Sequence, residues 1–144
     1  MAGASYVLDK PFVVLSTYNS SSTNGVQQYR VVKVAATGKI DLATNATATS
    51  GNIGVVQDNI DAVKVATGNV AVDVRVLGIT KVVCQTAASV AVGTRVMCGS
   101  AGGAIAAATT GSEVLGIVVG SNSAFGTIAD GDIIDVLLTP KVLF

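Results

Sequence analysis

Hydrophobic positions along this chain come in short runs, and most runs alternate with polar residues. Over residues 70–77, Val70, Val72, Val74 and Val76 fall on one side while Ala71, Asp73 and Arg75 fall on the other. That period of two is the mark of a half-buried strand. Lys39-Ile40-Asp41-Leu42 alternates in the same way after a Thr37-Gly38 turn. The nearly continuous apolar run at 53–57 predicts a strand buried on both faces, and the run at 114–119 a further apolar strand. Further strands are predicted over 26–34, 62–65, 79–84, 94–98, 104–108 and 131–138, with loops at 43–51, 99–103 and 120–126.

The pattern is written twice. Tyr29-Arg30-Val31-Val32 corresponds to Thr94-Arg95-Val96-Met97. Ile53-Gly54-Val55-Val56 corresponds to Leu115-Gly116-Ile117-Val118, and the strand after Gly68 to the strand after Gly131. The offset is 65 at the arginines, 62 at the inner glycines and 63 at the outer ones. So steady an offset predicts a duplicated β module, about 29–78 and 94–139, inside a β domain spanning 29–139. Residues 1–28 fall outside the repeat. They read as an arm or added strand, carrying Tyr6-Val7-Leu8 and Phe12-Val13-Val14-Leu15, followed by a Ser/Asn-rich polar loop. Residues 140–144 read as an apolar tail, because Pro140 cannot donate to a ladder. Many short strands with glycine turns predict an all-β fold, a compact barrel or sandwich whose edges invite other chains.

Composition sharpens the picture. Half of the 144 residues are hydrophobic and only 12% are charged, against roughly 25% in an average soluble domain. Nine basic residues balance nine acidic ones, with no cluster of either sign. A surface with so little charge has weak colloidal protection, which points to a chain that lives in an assembly. No basic stripe marks a nucleic-acid footprint, and no basic amphipathic stretch or run of about 20 apolar residues marks a membrane segment. The N-terminal residues lack the pattern of a signal peptide, so cytoplasmic synthesis is expected.

Candidate chemistry is sparse. With no His in the chain, histidine-dependent triads and zinc sites are excluded. Cys84 and Cys98 lie 14 residues apart, match no metal pattern and read as small buried hydrophobes. Asp130, Asp132 and Asp135 lack calcium-loop spacing and read, like Asp58 and Asp61, as turn carboxylates. Gly99-Ser100-Ala101-Gly102-Gly103 lacks the Lys-Ser/Thr of a phosphate loop. Arg30 and Arg95 read as outward strand residues repeated by duplication. No catalytic, cofactor-binding or metal-binding residue is expected, and the chain does not read as an enzyme.

The ordered motifs, from Ile53-Gly54-Val55 through Val92-Gly93-Thr94-Arg95-Val96 and Leu115-Gly116-Ile117-Val118 to Gly131-Asp132-Ile133, resemble the small capsid decoration, or cement, proteins of tailed bacteriophages. The resemblance covers roughly residues 29–139. It implies a virion structural protein on the capsid exterior that binds the major capsid protein, commonly as a homotrimer, and reinforces the expanded head. The segments outside the repeat are the expected partner contacts: Tyr6, Val7, Leu8, Phe12, Val13, Val142, Leu143 and Phe144. A tail- or fibre-associated β module, or a glycan- or ligand-binding module, is the alternative.

Overall fold

The computed structural model describes residues 7–19, 25–47, 49–107, 110–122 and 127–143. Ten strands run through them: β1 (Leu8–Val13), β2 (Val31–Val34), β3 (Ile40–Leu42), β4 (Asn52–Val56), β5 (Ala71–Leu77), β6 (Ile79–Val83), β7 (Arg95–Cys98), β8 (Ala104–Ala106), β9 (Glu113–Ser121) and β10 (Ile133–Leu143). A single short helix, α1 (Ala62–Ala66), sits between β4 and β5 among the described residues. The strands form two five-stranded antiparallel sheets, β1-β5-β4-β2-β3 and β6-β10-β9-β7-β8. Together they make a compact β-sandwich, with no closed barrel.

The two sheets have the same strand order, so the repeat is structural. β6 takes the place of β1, β7 of β2, β8 of β3, β9 of β4 and β10 of β5. The register repeats as well. Val32 pairs with Leu42 and Val96 with Ala106, both a step of 64. Val55 pairs with Arg75 and Ile117 with Leu137, both a step of 62. A lone parallel bridge, Val14 to Ile40 in one copy and Cys84 to Ala104 in the other, draws the first and third strands together and curls each sheet.

This register moves the boundary of the repeat and its phase. Residues 8–13 have a counterpart after all, in 79–83, so the repeated unit begins before residue 29. The equivalent of Arg30 is Thr94, not Arg95: Val56 N donates to Arg30 O as Val118 N donates to Thr94 O. Aligning the two arginines slips the frame by one residue, and a one-residue slip exchanges the faces of a strand. Arg95 therefore takes the place of Val31.

Three other expectations change for local reasons. The strand predicted over 26–34 starts only at Val31, because Tyr29 has φ 67° and breaks the extended run. Residues 62–65 form helix rather than strand: the Asp61 side chain accepts from Lys64 N and caps the turn, a stabilisation that outweighs the weak alternation of Ala-Val-Lys-Val. β10 runs through Pro140 to Leu143 instead of ending before it. Pairing with β9 slips between Leu138 and Val142, so the missing N–H falls within an irregularity, where proline is tolerated in a sheet.

Each sheet wraps a core of its own. Val32, Ile40, Val56, Val72 and Val74 line the first. Their counterparts Val96, Ala104, Val118, Ile134 and Val136 line the second. The first sheet also uses its other face: Val31 and Val55, both fully buried, belong to the second core. That is the two-faced burial predicted for 53–57. Backbone bonds from Val83 N to Tyr29 O and from Val31 N to Gly102 O join the copies.

Candidate partner-binding surfaces

The terminal residues expected to contact a partner divide between the two sheets. Val7 and Leu8 are exposed at the start of β1, and Leu8 pairs with Leu77. Phe12 is half-buried against the first core, whereas Val13 is exposed on the same edge strand. Val142 and Leu143 pair with Val114 and Glu113 in the second sheet. Tyr6 and Phe144 lie outside the described residues. The described parts of the two segments belong to different sheets.

β1 is an edge strand of its sheet and is anchored by the bidentate pair of Asp9 with Arg75, at 2.8 and 3.0 Å. The hydrogen bonds from Arg75 hold the Asp9 carboxyl below its ordinary range, against a smaller opposing effect of burial. Arg75 also donates to Ile79 O at 3.2 Å, tying the end of the first copy to the start of the second.

Sequence reasoning missed a group of exposed apolar residues at that junction. Leu8, Leu77, Ile79 and Leu137 are all exposed. Leu8 pairs with Leu77 and Ile79 with Leu137, and only Gly78 separates Leu77 from Ile79. The signal lay in the repeat. In the observed register the ion pair Asp9–Arg75 corresponds to the apolar pair Ile79–Leu137, a loss of two charges that placing residues 1–28 outside the repeat hides.

A cleft of about 150 Å³ lies between the copies, lined by Asn52, Ile53 and Val76 on one side and Cys98, Glu113 and Thr139 on the other. Asn52 Oδ1 and Thr139 Oγ1 are buried there with no hydrogen-bond partner among the described residues. Burial pushes the Cys98 thiol up to about 12, and the Glu113 carboxylate adds to the effect. Cys84 is raised as well, by burial and then by Asp130 and Asp132. Both sulfurs therefore stay protonated near neutrality, which removes the thiolate that nucleophilic chemistry needs.

The aspartates flagged in the sequence point to separate tasks. Asp130 accepts from Ala87 N, Asp132 from Ala129 N and Asp58 from Asp73 N. Asp135 pairs with Lys81 at 3.6 Å. No group of three metal-ligating side chains occurs among the described residues, and no described helix is long and apolar enough to cross a membrane.

No family model matches the chain, and no curated protein matches it. Among solved structures, it is similar to the head fiber gp8.5 N base of bacteriophage phi29, with a TM-score of 0.61 at 16% identity. The match covers 94% of this chain and 98% of that one. At that identity the likeness establishes a shared fold over nearly the whole of both chains.

Proposed function

We propose that this chain is a structural component of a bacteriophage virion and that it binds the outer surface of the head as a decoration protein. The observation that carries the reading is the fold likeness to a head-fibre base over nearly the full length of both chains. The low charge and the exposed apolar residues at the junction fit a chain held in an assembly. The major capsid protein is the proposed partner. A protein that binds only the expanded shell stabilises that state by mass action, because its affinity for the two conformations differs. A fibre-base role is the second reading, favoured by the same structural likeness.

Copy number separates the two. Quantifying this chain against the major capsid protein in purified particles is expected to give a fixed lattice fraction, with hundreds of copies per head. A few copies per particle would assign it to a fibre or tail part, and absence from the particle would overturn the virion reading.

A further inference from the structure

The seam between the two copies holds a second concavity, of about 170 Å³, beside the turn that joins β7 to β8. Tyr18, Gln27, Arg30 and Leu42 of the first copy line it, and Ser100 and Ala101 close it from the second. Tyr18 is only 4% exposed, and its hydroxyl is buried with no hydrogen-bond partner among the described residues. A buried polar group left in that state points to a partner that arrives from outside the chain. The hydroxyl stays a donor: burial pushes its pKa up, the Asp41 carboxylate adds to the effect, and the Arg30 charge opposes it without cancelling it. Arg30 is half-buried. A guanidinium carries a fork of N–H donors, and among the described residues Arg30 spends only Nη1, on Ala101 O at 3.2 Å. It enters none of the ion pairs of those residues. The second copy repeats neither charge, since Thr94 stands at the place of Arg30 and Ile105 at that of Asp41.

We propose that this pocket binds a carboxylate group, held by the Arg30 guanidinium and the Tyr18 hydroxyl. The groups free to bind are donors. The Arg30 fork matches the two oxygens of a carboxylate, and Tyr18 adds a neutral O–H. Ser100 Oγ accepts from Gln85 Nε2 at 2.9 Å and keeps its own proton to give. Charge then selects among anions. Arg30 brings one positive charge. Asp41 sits behind Tyr18, its Oδ1 fixed by Asn19 N and Leu42 N at 2.7 and 2.8 Å. A doubly charged phosphate meets more repulsion from Asp41 than one guanidinium offsets, whereas a singly charged carboxylate is matched. Leu42 and the Tyr18 ring give its carbon stem an apolar wall. The volume is comparable to the ~150 Å³ cavity that admits benzene, so the stem is short. The carboxylate can belong to a free short-chain acid or to an acidic side chain of another protein, and the pocket offers both the same chemistry. The proposal is independent of which particle the chain belongs to.

The test is an NMR titration of the isotope-labelled full chain at constant ionic strength. The probes are sodium acetate and the peptide acetyl-Gly-Glu-Gly-amide. Acetamide and acetyl-Gly-Gln-Gly-amide are the uncharged controls, and phosphate in its doubly charged form is the competing anion. Both carboxylates, or one of them, are expected to shift the Arg30 Nε–H and Ala101 N–H signals to saturation, with no response to the amides and a weaker one to phosphate. Saturation by acetate makes a free acid sufficient, and saturation by the peptide alone assigns the group to an acidic side chain. Arg30→Gln should abolish the response. Arg30→Lys, which keeps the charge and loses the fork, should weaken it and carries the test if the first variant misfolds. Tyr18→Phe should weaken binding about two- to tenfold, the worth of one neutral hydrogen bond. It should also leave the melting temperature of the free protein unchanged or raised, because the lost hydroxyl has no partner within the chain. A lower melting temperature with unchanged affinity would show that the hydroxyl is bonded internally and would overturn the proposal. Shifts that do not saturate, an equal response to the amides, or tighter binding of phosphate would overturn it as well.

Discussion

Two glycines show how backbone packing sets individual residues in this fold. A Cβ at Gly54 would lie 2.1 Å from Arg75 O, and one at Gly116 would lie 2.2 Å from Leu137 O. The obstacle is the same in both copies: the main chain of the neighbouring strand, which cannot move aside as a side chain can. Gly93 is a different case. It has φ 91° and open space around it, and its counterpart Tyr29 holds φ 67° with a full side chain. Both donate N–H to the matching strand, Tyr29 to Val56 O and Gly93 to Val118 O, so the turn survives without glycine. Gly93→Ala should therefore cost only the left-handed penalty of about 1–2 kcal/mol. Gly54→Ala and Gly116→Ala should each reach or exceed the upper end of the ~1–3 kcal/mol range for overpacking. Urea unfolding of the three variants checks this. Equal losses at Gly93 and Gly54 would show that the steric argument is wrong.

At the scale of elements, strands with strong alternation were legible, and elements decided by a single local contact were not. The run at 70–77 became β5 nearly as drawn, because Val72 and Val74 needed one face and Asp73 the other. The run at 62–65 did not become a strand. Its alternation was overruled by one capping carboxylate, and Val63 ended at the surface while Val65 turned inward. The duplication was legible from glycine spacing, but its phase was not, since Arg30 and Arg95 offered a false anchor one residue out of register. The apolar junction residues were missed for a different reason: with residues 1–28 set outside the repeat, Asp9 had no counterpart to compare with Ile79. The C-terminal residues were misplaced because Pro140 reads as a stop, whereas pairing resumes at Val142 with Val114 and Leu143 with Glu113. Deleting residues 142–144 should therefore destabilise the fold itself, by about 1–2 kcal/mol if one or two ladder bonds are lost at roughly 0.5–1.5 kcal/mol each. A lower urea midpoint for the truncated chain is the expected outcome. An unchanged midpoint would return these residues to the status of a dispensable tail.

For the whole molecule, the repeat reads as two modules within one β domain, and the packing binds the two modules to each other. Residues of the first copy complete the second core: Val31, Ala43, Ala46 and Val55 are buried among Val82, Cys84, Val96 and Ala104. Full burial of the two valines alone contributes about 1.5–3 kcal/mol each, a sizeable part of the 5–15 kcal/mol that holds an ordinary domain together. The polar contact from Gln57 Nε2 to Thr80 Oγ1, at 3.0 Å with Thr80 buried, crosses the same boundary. Separating the copies would leave the second core open on one side and both groups without each other. Unfolding should therefore be a single cooperative transition, with calorimetric and van't Hoff enthalpies in agreement. A Val55→Ala variant should shift that transition without splitting it, since the lost contacts lie in the interface both copies share. Two resolved transitions, or a second module that folds alone as residues 79–144, would show that the copies are independent and that the shared core is incidental. A single transition would fit the proposed role in a shell: a clamp whose halves unfold only together passes load from one contact surface to the other instead of yielding between them.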